Sequence, residues 1–492
     1  MKKSIHHILI QPYLGISLLL LVFLLKGFLF VTILPIFQGP DEPIHYATIQ
    51  YFAEPKEKNW DIQKIDKEDF FPDGDNTNTY HYSQEIKKTA EISQFDEIKF
   101  HGTNTSLFLS GSDGAIEQTL PQASWKKYID SYPPSIVGGP SLYYLVTSQI
   151  EKFFSSSDIL VRFFSIRIFS VFLGILTVLL AYLTTLKAGF TQKQALVIST
   201  IIAFQPMFTQ TAAIINYDIP LIFAFSLFTY ATVALLRHGF QWKYFCFLFL
   251  GALVGILVKG TGLILPVLIF PILIYLIYQK TDFGLGKKKF FFYLSALFVI
   301  AIAFFIIFGP KGTTEIFTDF SATSNFSSPL ESLQKYIVIT AERWDFFELT
   351  YWGSFGWLDA QVSDYVLIFI WLTEIVALAG IVYAFFFKKI PSSFLPEKKY
   401  IIFMILMLVA LQGLIRFYDW KIFYSDGSII IGTPGRYFLP NIISHFLVLF
   451  FGLGSFFSKK KHFDILLITS LILMIGFFFY SLFNIIIPRY YL

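Results

Sequence analysis

The sequence predicts an all-α polytopic membrane protein: a transmembrane helical bundle of about eleven spans, with a large first external loop carrying interfacial helices. Three observations predict it. The 492-residue chain is 55% hydrophobic, holds 60 Phe and has a mean hydropathy of +0.61, which excludes an ordinary soluble domain. Its apolar residues gather into runs of roughly 17 to 25, long enough to cross a hydrocarbon core of about 30 Å. The connections between those runs also alternate in charge. Lys2, Lys3, Lys187, Lys193, Arg237, Lys243, Lys280, Lys287 to Lys289, Lys388, Lys389, Lys398, Lys399 and Lys459 to Lys461 fill one set, almost without acids. Residues 38–135, in the other set, carry 17 Asp or Glu against 9 Lys. By the positive-inside rule the first set faces the cytoplasm. A multi-pass protein of the cell membrane is expected, with its N-terminus inside and its C-terminus outside.

Residues 1–37 hold the first span. The opening Lys2, Lys3, His6 and His7 resemble a signal peptide, but the apolar run over 13–37 is too long and no small-x-small site follows it, so an uncleaved signal anchor is expected. Residues 38–163 form the external loop. Its middle is polar, with a turn cluster at Pro72 to Asn76; Asp73-Gly74-Asp75 looks like the start of a calcium loop until Thr77 and Asn78 break the pattern. Asn104-Thr105-Ser106 and Asn325-Phe326-Ser327 are glycosylation sequons. The apolar stretch ending at Phe154 is too short to cross and is expected to lie in the outer interface, with Tyr143 and Tyr144 at headgroup depth. Residues 164–492 form the bundle. Its spans are expected at 164–186, 194–214, 219–236, 244–258, 261–279, 290–309, 365–387, 400–416, 437–457 and 463–487, with external loops 310–364 and 417–436. Arg162 and Arg167 then mark the outer rim of the second span. Trp344, Trp352 and Trp357 read as an interface belt. Lys26 and Glu374, each near the middle of a span, are expected to pair or to face a polar cavity. The single Cys246 excludes an internal disulfide.

On this topology the chemistry gathers outside. Gly39-Pro40-Asp41-Glu42-Pro43-Ile44-His45 packs two acids and an imidazole at the end of the first span. Asn216-Tyr217-Asp218 forms the turn after the third span, Lys259-Gly260 the turn after the fifth, and Arg416 to Arg436-Tyr437 the loop after the ninth. A carboxylate at a membrane edge suits a general base for an acceptor hydroxyl. Lys259, Arg416 and Arg436 at the same level suit a phosphate. Asp218 reads equally as a turn residue and helix cap. His45, four residues after Asp41, shares a helical face with it; this leaves a divalent metal open, although one His and two acids make a weak signature.

These motifs, in this order, resemble the DUF2142 membrane proteins and, more broadly, the GT-C superfamily of glycosyltransferases. The likeness rests on Pro40-Asp41-Glu42-Pro43-x-His45, Tyr143-Tyr144, Asn216-x-Asp218, Lys259-Gly260, Phe355-Gly356-Trp357-Leu358-Asp359 and Gly435-Arg436-Tyr437-Phe438-Leu439-Pro440. The resemblance implies a GT-C-like bundle and an enzyme that moves a sugar from a polyprenyl-phosphate donor to a glycan, lipid or protein acceptor, inverting the anomeric centre. It implies Asp41 as base, Glu42 and Asp218 as further catalytic acids, and a substrate site drawn from His45, Tyr143, Tyr144, Asn216, Lys259, Arg416, Arg436 and Tyr437. It implies no cofactor and no metal, and no nucleic-acid partner is expected. The rival classes are a lipid-linked glycan transporter and a non-catalytic subunit of a cell-surface glycan assembly system.

Overall fold

The computed structural model describes residues 12–53, 83–93, 95–98, 141–279, 328–387, 394–426 and 433–491. They are helical almost throughout; the described strands are the two-residue pair β1 (Ser354–Phe355) and β2 (Ala360–Gln361). The helices run α1 (Pro12–Ile33), α2 (Glu42–Ala53), α3 (Gln84–Ile92), α4 (Phe95–Ile98), α5 (Leu142–Phe153), α6 (Ile159–Ala188), α7 (Gln192–Phe204) and α8 (Pro206–Ala213). There follow α9 (Asp218–His238), α10 (Trp242–Val258), α11 (Ile264–Tyr278), α12 (Pro329–Glu342), α13 (Trp344–Trp352), α14 (Asp364–Phe386), α15 (Lys398–Asp426), α16 (Ile442–Ser455), α17 (Lys460–Ser481) and α18 (Ile487–Tyr491). Among the described residues, eight helices are long and apolar enough to cross a membrane, or nine if α7 and α8 make one broken span. The all-α polytopic fold is as expected. The span expected at 290–309, the Asp73-Gly74-Asp75 cluster and both sequons lie outside the described residues.

Four local expectations change. The run over 194–214 is not straight: α7 and α8 meet at 64°. Pro206 has no N–H for the ladder and forces Gln205 into an extended conformation (φ −62°, ψ 121°), from which the Gln205 side chain caps α8 through the Phe208 N–H. The external loop expected from 417 is instead helical to Asp426, because no Gly or Pro interrupts the chain there; Asp419 accepts from Tyr336 on α12 and Trp420 donates to Ser332. Lys26 and Glu374 do not pair. The Lys26 ammonium closes the α7–α8 break, donating to Ala203 O and Thr209 Oγ1 amid the rings of Phe23, Phe204 and Phe478, while Glu374 lies against His445. Of the expected tryptophan belt only Trp344 is exposed; Trp352 is buried and Trp357 donates its indole N–H to Phe37 O.

Arg162 and Arg167 lie at the N-terminal end of α6, where expected, but both are sealed rather than at a solvated rim. A buried guanidinium is unfavourable unless carboxylates and carbonyls absorb its donors. Arg167 grips Glu42 with two parallel bonds of 2.8 and 2.7 Å and donates to Val31 O, Leu34 O and Pro35 O, the open carbonyls at and just past the end of α1. Arg162 holds Glu85 of α3 and Glu151 of α5, while Gln50 of α2 donates to Glu85 at 3.0 Å. Burial pushes the Glu85 carboxyl up to about 7. The two arginines thus pin the first-loop helices to the bundle.

Candidate functional site

The loop joining α1 to α2 begins the site. Glu42 is fully buried; besides Arg167, its carboxylate accepts from Gly39 N–H (3.1 Å) and Ile215 N–H (2.9 Å). With its lone pairs engaged and no place on the cleft wall, Glu42 positions the loop; the expected catalytic part does not fit its geometry. Asp41, by contrast, stands in a left-handed conformation (φ 59°) with its side chain 45% exposed. That turn aims the two neighbouring acids apart, one into the protein and one into the cleft.

The cleft spans about 370 Å³ with the open solvent at its mouth and is lined by Asp41 and His45, by Met207, Gln210 and Thr211 of α8, by the Asn216-Tyr217-Asp218 turn, and by Arg436 and Tyr437. Arg436 Nη2 lies 3.0 Å from Asp41 Oδ2, and Lys259 Nζ lies 2.7 Å from Asp218 Oδ1. Residues separated by up to 395 positions therefore share one site. Lys259 also sits over the rings of Tyr437 (4.1 Å) and Tyr217 (4.5 Å). Burial alone would lower its ammonium pKa, but Asp218 and the two tyrosines hold it above the ordinary lysine value. Burial pushes His45 down to about 4, with Asp41 and Asp218 opposing the fall and Arg436 and Lys259 adding to it. His45 is therefore neutral at pH 7, its Nδ1 2.6 Å from Tyr144 OH.

The turn after α8 shows why Asp218 is available. Asn216 Oδ1 accepts from the Asp218 and Ile219 N–H groups at 2.8 and 3.0 Å, and its amide donates to Thr211 O and Ile214 O. Asn216, expected to bind substrate, is the cap of α9, and the Asp218 carboxylate is left free to meet Lys259. Tyr143 and Tyr144 do not face outward: α5 turns Leu145, Val146 and Phe153 outward and buries both tyrosines. Tyr143 OH bonds Ser170 at 2.9 Å, away from the cleft, and Tyr144 backs His45. Arg416 does not join Asp41. It lines a neighbouring cleft of about 310 Å³ with Arg343, Tyr336 and Asp419, its guanidinium over Phe347 and Phe438. Sequence reasoning missed Gln210 and Thr211, which are polar positions inside an apolar run, and Tyr217, which lay within a motif already singled out. Among the described residues no group of three or more His, Cys, Asp or Glu is arranged to hold a metal.

What this arrangement offers is one exposed carboxylate, a second carboxylate paired with a lysine, an arginine and a neutral imidazole at one cleft. A family model described as a predicted membrane protein (DUF2142) matches residues 23–480. No curated protein and no solved structure matches the chain.

Proposed function

The chain belongs to the DUF2142 family of predicted membrane proteins, and from that premise we propose that it is a GT-C-type integral membrane glycosyltransferase. It transfers a sugar from a polyprenyl-phosphate-linked donor to an acceptor hydroxyl of a glycan, lipid or protein on the outer face of the membrane. The observation that carries this reading is the meeting of Asp41, Asp218 and Arg436 on one cleft, with Lys259 paired to Asp218 beside it. In the proposed step the Asp41 carboxylate takes the proton of the acceptor hydroxyl as that oxygen attacks the anomeric carbon. The bond from that carbon to the phosphate oxygen breaks, its electrons leave with the polyprenyl phosphate, and the centre inverts. Arg436 and Lys259 meet the charge that develops on the leaving phosphate. Arg436 has donors to spare: Nη2 engages Asp41, and its buried Nε has no partner among the described residues. Neutral His45 adds no second cation beside the Asp41–Arg436 pair.

The transport alternative draws no support from Lys26, which is committed to the helix break and enclosed by three rings. The test is turnover of labelled lipid-linked sugars by purified protein in detergent. Asp41→Asn is expected to lower turnover by about 100-fold or more while donor binding persists. Undiminished turnover removes Asp41 as the base.

A further inference from the structure

The cleft that holds Arg416 adjoins the candidate site. Thr433 lines this second cleft and Arg436, three residues on, lines the first. Phe347 of α13, on the second cleft's wall, packs on Phe438 with ring centroids 4.9 Å apart. The charge of the second cleft comes from Arg416 and Asp419 of α15 and from Arg343 at the end of α12. The Arg416 side chain is only 18% exposed, with its guanidinium over the rings of Phe347 and Phe438. Among the described residues no hydrogen bond takes up its donors. Asp419 Oδ2 is 3.9 Å from Arg416 Nη1, too far for a hydrogen bond, and is held instead by Tyr336 OH at 2.8 Å. Arg343 is exposed and forms no ion pair among the described residues; Glu342 and Asp345, near it in the chain, do not line the cleft. Two guanidiniums therefore share a cleft with one carboxylate that is already engaged, and their planar donors are unspent.

A sheltered guanidinium without an acceptor is unfavourable, and a phosphate offers the pair of oxygens that its fork fits. The level of the cleft in the bundle says which phosphate is at hand. Arg416 follows Lys398 on one helix by about 27 Å, at 1.5 Å per residue, close to the roughly 30 Å of a hydrocarbon core. Arg416 thus stands at the depth of lipid headgroups. Beside it, α12 is two-faced. Ser332 and Tyr336 are buried and bonded to Trp420 and Asp419 of α15, while Leu330, Ile337 and Val338 are each more than half exposed. Such a helix suits the surface of a bilayer, its apolar side among lipid chains. We infer that Arg343 and Arg416 form a second phosphate site, separate from the candidate site, which takes the phosphate headgroup of a membrane lipid whose chains lie along α12. A free phosphate has the same oxygens but no use for the apolar face of α12. The inference does not rest on the transferase reading, since binding is read without turnover.

Native mass spectrometry of the full chain in a neutral detergent, titrated with phosphatidic acid, tests the site. Phosphatidic acid is expected to be retained in preference to diacylglycerol, which shares its chains but lacks the phosphate. Arg416→Gln and Arg343→Gln are each expected to weaken the binding of one phosphatidic acid about tenfold, the weight of a hydrogen bond to a charged group. Arg343 is exposed and unpaired, so its replacement spares the fold whatever that of Arg416 does. Asp419→Asn removes the competing charge but keeps an acceptor for Tyr336, and is expected to tighten binding several-fold, a gain that damage to the fold does not give. Equal retention of the two lipids, unchanged affinity in both arginine variants, or no gain in Asp419→Asn overturns the site. Arg436→Gln, in the first cleft, is expected to leave this binding as it is; loss of the same binding there overturns the separateness of the two sites. Displacement of the lipid by inorganic phosphate at equal concentration overturns the lipid as the source of the phosphate.

Discussion

Asp41 pairs a left-handed backbone with a charged, half-open side chain, and Asn tolerates that backbone as well as Asp does. Asp41→Asn therefore removes charge without disturbing the turn, which is why its effect on turnover is diagnostic. His45 gives a prediction of a different kind. Its imidazole binds a proton near 6.5 in the unfolded chain but only near 4 in the fold. As the pH falls from 6.5 to 4, the unfolded state takes up a proton that the native state refuses, so stability drops across that window. The loss levels off below pH 4 at about 3 kcal/mol. Thermal midpoints in detergent at pH 7 and pH 4.5 should differ more for the wild type than for His45→Gln, which lacks this titration. Equal drops would mean His45 is not held neutral. Asp41, Asp218 and Lys259 were legible as site residues because each is a charge beside an apolar run. The division of labour was not: sequence cannot tell which of two adjacent acids points inward, so the anchoring of Glu42 by Arg167 went unread, as did the hold of Asn216 on the first N–H groups of α9.

Helices are tied together here by buried ion pairs, and these set the next predictions. Arg167 joins α6 to both α1 and α2, so Arg167→Met strands the Glu42 carboxylate in a dry interior and should cost about 3–5 kcal/mol. Glu42→Gln combined with Arg167→Met should cost less than the sum of the two single changes, as read from unfolding midpoints; additivity would mean the pair is not coupled. Gly435 sets the approach of the Arg436 turn to α13. A Cβ there would fall 2.0 Å from Phe347 O, a backbone atom that cannot yield. Gly435→Ala should therefore displace Arg436 and cut donor binding more than it lowers the unfolding temperature. If donor affinity is kept, Arg436 is not the contact proposed. Spans were the most legible elements, because a long apolar run has few alternatives to a helix. Boundaries in polar ground were less so: α15 runs ten residues past its expected end at Arg416, since aromatic and charged residues without Gly or Pro allow a helix to continue beyond the hydrocarbon.

For the molecule as a whole, the ends of the helices hold two separate groups of polar residues. At one end stand Asp41, Asp218, Lys259 and Arg436. At the other, Arg237 donates to Leu186 O and Lys187 O, Lys187 Nζ lies 3.0 Å from His238, and Gln194 of α7 holds Asp464 of α17. A chain that crosses repeatedly must bring every second connection to the same face, which is the division expected from the alternation of charge along the chain. Which face lies outside rests on the lysine excess of the first set of connections. That choice is open to a labelling experiment in a Cys246→Ser background, which removes the chain's single thiol. Tyr437→Cys places a thiol on the cleft wall and Lys193→Cys places one at the other end. A membrane-impermeant maleimide applied to intact cells should modify the first and reach the second only after permeabilisation. The reverse pattern would put the cleft in the cytoplasm, where nucleotide-activated sugars are at hand and the argument for a lipid-linked donor no longer holds. Labelling of both thiols from outside would mean that the two ends do not lie on opposite faces, and the bundle would need a different count of crossings.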